Sequence, residues 1–370
     1  MTDFEKNIDN SQQQTFEKAQ PSVRVGITQG DINGIGFEII LKTFADSAML
    51  DLCIPIIFGH INVANFQRKA LGINVPLKII SSAEDAKPGQ VNFVSCSDAD
   101  LKVEFGVQSQ EVGHAAFEAL ELAVQEYKMG NIDALVTAPI NKASIQSTNF
   151  RFVGHTEYLQ NCFDATNSNA LMILCNNVMR VALVTTHLPI SEIAFAITQE
   201  KVEQKARLLY KSLCQDFNIS CPRIAVLALN PHSGDQGVIG HEEVEVIDPA
   251  VKVLNEEGVP CYGPFAADGF FGAGLYKHFD GILAMYHDQG LAPFKALSMN
   301  DGVNFTAGLP IIRTSPDHGT AYDIAGKGIA DAGSFRQAIY TAIDIYRNRS
   351  VYVESHENPL PKLYQDRKER

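Results

Sequence analysis

Three histidines occupy the same kind of position in the chain. His187 follows the run VALVTT from Val181, His232 follows IAVLALN from Ile224 and one proline, and His287 follows GILAMY from Gly281. Runs so rich in Val, Ile and Leu read as strands buried on both faces. Each imidazole therefore stands just beyond a strand's C-terminal end, where a Pro- or Gly-bearing loop begins. In open α/β sheets ligands bind along that edge. Neutral imidazoles converging there suit Zn²⁺, or a similar divalent ion such as Mg²⁺, Co²⁺ or Mn²⁺, with positions left open for substrate. A histidine that only hydrogen-bonds a loop fits the slot equally well, and a fourth, His60 after IPIIFG, occupies it too.

Lys295, Asn304 and Arg313 follow the last of these histidines. In a chain with 43 acidic and 30 basic residues, net charge −13, this concentration suits a small anionic substrate bearing phosphate or carboxylate. A surface ion pair is an equal reading for Lys295. It is a poorer one for Arg313, which follows the apolar GLPII. Gly154-His155-Thr156-Glu157 adds an imidazole and a hydroxyl, in a loop or as a helix cap. Gly30-Asp-Ile-Asn-Gly34-Ile-Gly36 lacks both dinucleotide and phosphate-loop spacing, yet should form a tight strand-to-helix turn. Its free amides suit an anion, or the turn is purely structural. HEEVE at His241 lacks the second histidine of a zinc-protease motif.

The elements that must carry these groups alternate. VRVGIT, IPIIFG, IDALVTA, VALVTT, IAVLALN and GILAMY are predicted strands. HAAFEALELAVQEYKMG carries Phe117, Leu120, Val124 and Tyr127 on one stripe and stops at Gly130. EKVEQKARLLYKSLCQDF repeats the pattern with Val202, Leu209, Leu213 and Phe217. Further helices are expected from Glu242 to Gly258 and over SFRQAIYTAIDIYRNR. The alternation predicts an α/β fold with a largely parallel sheet. Residues 1–20 read as a mobile polar extension without a secretory signal, 21–350 as a two-lobed body around one cleft, and 351–370 as a polar tail. No apolar run is long enough to span a membrane, and the acidic balance argues against nucleic acid. Seven scattered cysteines without a Cys-x-x-Cys pair fit a cytoplasmic protein.

Seven ordered segments carry a resemblance: TQGDINGIG from Thr28, TAPINK from Thr137, GHTE from Gly154, TTHLPI from Thr185, NPHSGDQG from Asn230, YHDQGLAPFK from Tyr286 and SPDHGTAYDIAGKG from Ser315. Together they resemble the 4-hydroxythreonine-4-phosphate dehydrogenase family of the pyridoxal phosphate pathway, from about Val23 to Arg347. The resemblance implies a two-lobed fold like that of isocitrate and isopropylmalate dehydrogenases, with a central cleft, working as a homodimer. It implies a metal on His187, His232 and His287, leaving His60 out, with the third histidine coming from the partner subunit. Substrate contacts carry over to His155, Thr156, Lys295, Asn304 and Arg313, and Asp268 matches an acidic position near the metal. His318, Gly319, Thr320 and Asp323 resemble the nicotinamide-cofactor loop of the wider decarboxylating group, for NAD or NADP. The first turn departs from the family's usual Gly-Asp-Pro-Ala-Gly-Ile-Gly-Pro-Glu, with Ile32-Asn33 for Pro-Ala and Phe37 for the second Pro. This departure bears on substrate choice rather than on reaction type.

The implied reaction is metal- and NAD-dependent oxidation of 4-phosphooxy-L-threonine at C3, then loss of CO₂ to give 3-amino-2-oxopropyl phosphate. Lys295 and Asp268 are the candidate general bases. Two other readings stand beside it. One is a sister dehydrogenase acting on 4-phospho-threonate. The other is a metal-dependent hydrolase or a metabolite-binding protein, against which the HGTAYDIAGKG loop argues.

Overall fold

A computed structural model describes residues 22–146, 150–163, 170–298 and 300–358; the expected N-terminal extension lies outside them. Its frame is one 12-stranded sheet. The strands are β1 (Val23–Thr28), β2 (Cys53–Gly59), β3 (Leu77–Ile80), β4 (Val91–Ser95), β5 (Ala134–Thr137) and β6 (Leu171–Cys175). They continue with β7 (Arg180–Leu183), β8 (Ile224–Leu227), β9 (Cys261–Phe265), β10 (Gly281–Ala284), β11 (Val303–Ala307) and β12 (Arg313–Pro316). Their spatial order is β3-β4-β2-β1-β5-β12-β11-β6-β7-β10-β8-β9.

The six strands from β3 to β12 run parallel, as do the four from β7 to β9. Between them β11 is antiparallel to both β12 and β6, and β6 to β7. The sheet is thus largely parallel, as the alternation predicts, but built as two parallel halves of opposite direction joined through an antiparallel middle that the sequence does not announce. β1, with Val25, Ile27 and Thr28 buried between β2 and β5, explains why the apolar runs lack polar alternation.

Helices cover both faces. Gln110–Lys128 buries Phe117, Leu120 and Val124 and ends before Gly130, whose φ of 77° turns the chain back. Gln199–Gln215 starts at Thr198, whose hydroxyl accepts from the Lys201 amide, and buries Val202, Leu209 and Leu213. Over the predicted Glu242–Gly258 helix the chain makes a π turn, Glu243–Ile247, before the α-helix Asp248–Glu256. Pro249 has no N–H to continue the α pattern at that junction. The last helix, Gly333–Glu357, extends past the predicted stretch, so residues 351–357 are helical rather than tail. No helix among the described residues is long and apolar enough to cross a membrane.

Candidate active site

Arg313 opens β12 at the antiparallel junction and is 4 % exposed. Its guanidinium donates to the Thr137 hydroxyl from Nε (3.1 Å) and Nη2 (2.7 Å), to the Thr306 hydroxyl from Nη1 (3.3 Å), and to His155 Nδ1 from Nη2 (3.3 Å). Every one of these partners is neutral, and no carboxylate pairs with Arg313 among the described residues. Burial pushes its pKa down to about 10, with Glu157 opposing. A buried cation without a counter-ion is costly unless an anion completes it.

His155 and Thr156 begin the helix His155–Phe163, so they sit in a helical first turn rather than a loop. Because Arg313 only donates, His155 Nδ1 must accept. Burial, then the charges of Arg313 and Lys142, hold the His155 pKa well below its usual value. The ring is therefore neutral, with its proton on Nε2, a buried atom that has no partner among the described residues. That N–H is a donor ready for a ligand oxygen. Thr306, which accepts from Arg313, lies 3.5 Å from the Thr156 hydroxyl. Asn304, on β11, has a buried Oδ1 with no partner among the described residues.

A cavity of about 330 Å³ gathers Thr156, Asn304 and His187 with Lys142, Glu157 and Lys205. The sequence gives no role to the last three, and Glu157 enters it only as the end of GHTE. Lys142 was within its reach, because TAPINK follows the C-terminal end of β5 just as the histidines follow β7, β8 and β10. The rings of His187 and His287 face each other with centroids 6.0 Å apart. His187 is held below its usual pKa by burial, then by Lys142. His287 starts the helix His287–Leu297, not a loop, and its Nδ1 lies 2.7 Å from an Asp288 carboxylate oxygen. Donation from Nδ1 leaves Nε2 free as a ligand, the usual outer-shell arrangement of a metal-binding histidine. His232 lies on an exposed loop whose residues 232–236 all have positive φ. No three metal-ligating side chains assemble in one chain among the described residues. The pairing found is thus first with third of the trio. His60 belongs elsewhere: it is buried against Gln29 (3.0 Å), Ser97 (3.1 Å) and Glu118 (3.1 Å).

Lys295 lies on the same helix as His287, and its Nζ is 3.4 Å from Asp317. Burial raises the Asp317 pKa, while Lys295, His318 and His287 oppose the rise, so these groups surround one carboxylate. Asp268 is exposed and borders a different hollow, about 570 Å³, with Asn230, Pro231 and Tyr286, the neighbours of His232 and His287.

The 318–323 loop lies against the glycine turn. Ile35 N–H donates to the Thr320 carbonyl (3.0 Å), and the Tyr322 hydroxyl donates to Asp31. A Cβ on Gly34 would sit 2.7 Å from that carbonyl, which accounts for glycine there. His318 donates from Nδ1 to the Gly319 carbonyl (3.1 Å), leaving a buried Nε2 acceptor without a partner among the described residues. Gly319 and Asp323 are exposed on the same loop. An unpaired acceptor and a free carboxylate beside a glycine turn fit a ligand rich in hydroxyl donors, such as a nucleotide ribose.

The neutral burial of His155 has a measurable cost. With its folded pKa below the unfolded value of about 6.5, the unfolded chain binds the extra proton, so stability falls as pH drops through that value. Urea titrations between pH 7.5 and 5 should show His155→Asn losing less stability than wild type, by roughly 1.4 kcal/mol per pH unit for one proton. Parallel curves would mean that His155 is charged in the fold.

Comparison with known proteins places the chain among close relatives. Residues 51–342 match the family described as pyridoxal phosphate biosynthetic protein PdxA. A 4-hydroxythreonine-4-phosphate dehydrogenase from Bacteroides thetaiotaomicron is 57 % identical over 347 residues, covering 94 % of this chain and 95 % of that protein. A D-threonate 4-phosphate dehydrogenase from Cupriavidus necator is 38 % identical over 330 residues, covering 88 % and 98 %. Among solved structures, the Klebsiella pneumoniae 4-hydroxythreonine-4-phosphate dehydrogenase superposes with TM-score 0.78 at 32 % identity, over 89 % of this chain and 99 % of that one.

Proposed function

The chain belongs to the PdxA family of pyridoxal phosphate biosynthetic proteins, and from that premise we propose that it oxidises 4-phosphooxy-L-threonine at C3 with NAD and a divalent metal, then releases CO₂ to leave 3-amino-2-oxopropyl phosphate. The observation that carries this reading is Arg313, a buried guanidinium that meets no acidic partner among the described residues, next to the His155 Nε2–H, which likewise has no partner there. Together they bind an anionic group of the substrate, with the Thr156 hydroxyl beside them. Asn304 Oδ1 accepts from the substrate's ammonium or hydroxyl and so orients C3.

His187 and His287 fit two ligands of the metal, Zn²⁺ best among ions that accept imidazole. Because the third histidine, His287, expected from the partner subunit, has its ring 6.0 Å from that of His187 in the same chain, this reading gives the crossing place to His232 instead. The 318–323 loop fits the dinucleotide. When bound, the ion supplies Lewis-acid charge and the dinucleotide a hydride acceptor. Lys295, close to His287 through Asp317, carries the proton of the C3 hydroxyl; Asp268, in the hollow lined by Asn230 and Pro231, is the alternative base. A homodimer agrees with three apolar side chains left in solvent close to the histidines, Ile190, Phe195 and Val238, exposed by 84, 88 and 79 %. A cytoplasmic setting agrees with seven cysteines free of disulfides.

The resemblance to D-threonate 4-phosphate dehydrogenases supports a second reading, in which C2 carries a hydroxyl rather than an amino group. The test is NADH formation by purified protein offered 4-phosphooxy-L-threonine and D-threonate 4-phosphate in parallel, with and without a chelator. Turnover of the amino acid, abolished by chelation and restored by metal, is the expected result. Turnover of the threonate alone moves the protein to the second activity, and no NADH from either overturns the dehydrogenase reading.

A further inference from the structure

We propose that Asn33 is a positioning residue that holds the Glu104–Val107 turn against the 322–326 loop as a third wall of the dinucleotide site, and so sets cofactor affinity rather than turnover. The inference rests on the reading of 318–323 as the cofactor loop. Asn33, at one of the positions where the glycine turn departs from the family pattern, is 1 % exposed. Its Oδ1 accepts from the Glu104 amide (2.8 Å), its Nδ2 donates to the Val107 carbonyl (2.8 Å), and its own carbonyl accepts from the Gly106 amide (2.9 Å). Three backbone groups of one four-residue turn therefore end on one asparagine. Both ends of its amide are used, as no alanine could manage.

What the turn touches gives the tether its consequence. Gly106 has φ +77°, and a Cβ there would lie 2.8 Å from the Tyr322 carbonyl. A Cβ on Gly326 would meet the Phe105 ring. Phe105 in turn packs on Phe66, with centroids 6.2 Å apart. The same Asp31 that accepts from the Asn33 amide (2.9 Å) accepts from the Tyr322 hydroxyl. The glycine turn, the 104–107 turn and the 322–326 loop are thus closed on one another, and the Asn33 side chain ties the 104–107 turn to the glycine turn. A wall held only part of the time lowers apparent affinity by the fraction of time it is in place.

The experiment compares wild type, Asn33→Ala and Gly106→Ala. The second variant pushes the turn off Tyr322 by a route that leaves Asn33 intact. Readouts are NADH binding by fluorescence, amide hydrogen exchange without cofactor, and steady-state kinetics. Asn33→Ala should speed exchange at Glu104 and Gly106 and raise the NADH Kd about tenfold, or about 1.4 kcal/mol, with kcat within about twofold. Gly106→Ala should raise Kd likewise. If wild type binds NADH and both variants bind it equally well, the third wall is refuted. If wild type binds no NADH, the cofactor reading falls and takes the inference with it, even where exchange at Glu104 still rises.

Discussion

Replacing Arg313 by Met is expected to lower kcat/KM by a factor on the order of 10³ while leaving stability unchanged to within about 1 kcal/mol. The two halves of that expectation have one cause. Two charge-assisted hydrogen bonds to a substrate anion are worth about 3–6 kcal/mol together, a factor of about 10²–10⁴. In the substrate-free fold the same guanidinium is desolvated and, among the described residues, hydrogen-bonds only to Thr137, Thr306 and the neutral His155. Its removal thus relieves a burial cost that offsets the lost hydrogen bonds. Arg313→Lys keeps the charge but not the fork, and should lose about 10²-fold. Kinetics paired with thermal melts decide it: a Met variant that keeps a tenth of wild-type activity, or one that unfolds, removes Arg313 from the anion site.

The second large effect concerns the histidines. His187→Ala, His232→Ala and His287→Ala should each lower kcat by about 10³ or more without changing the melting temperature in the absence of metal. Because His187 and His287 face each other inside one chain, mixtures of inactive variants discriminate the arrangement. Co-expressed His187→Ala and His232→Ala chains form mixed dimers with one intact site, recovering roughly a quarter of wild-type activity. Co-expressed His187→Ala and His287→Ala chains recover none. Recovery by the second mixture instead of the first would mean that His287, not His232, crosses the interface.

The positions of the histidines were legible because the strands before them are buried on both faces and therefore read as unbroken apolar runs. What separates His60 from the others was not legible. Its side chain is claimed by Gln29, 31 residues earlier, and Glu118, 58 residues later, and no local pattern announces such long-range partners. The antiparallel middle escaped for a related reason. β12 is Arg-Thr-Ser-Pro, polar by composition yet buried, with the Thr314 hydroxyl donating to the Ala338 carbonyl of the last helix and the Arg313 guanidinium to Thr137 on β5. His155 was visible as a candidate, whereas its neutral state and proton position depend on Arg313, 158 residues away. The run of positive φ from His232 to Gln236 is likewise invisible, since only one of its five residues is glycine.

The order of strands across the sheet also dictates when the protein can become an enzyme during its own synthesis. β1 to β5 have been synthesised by residue 137, yet β5 keeps an open edge until β12 arrives at residues 313–316. The other half waits in the same way, since β6 pairs on one side with β11, at residues 303–307. At roughly 5–20 residues per second, the nascent chain spends on the order of ten seconds or more with that edge unpaired. The segment that closes the gap is the one bearing Asn304 and Arg313, and the final helix then seals it against β12, β5 and β1. A nascent chain cut short before β11 and β12 therefore lacks the anion site and the centre of its sheet together, and its exposed edge marks it for the chaperones and proteases that clear unfinished chains.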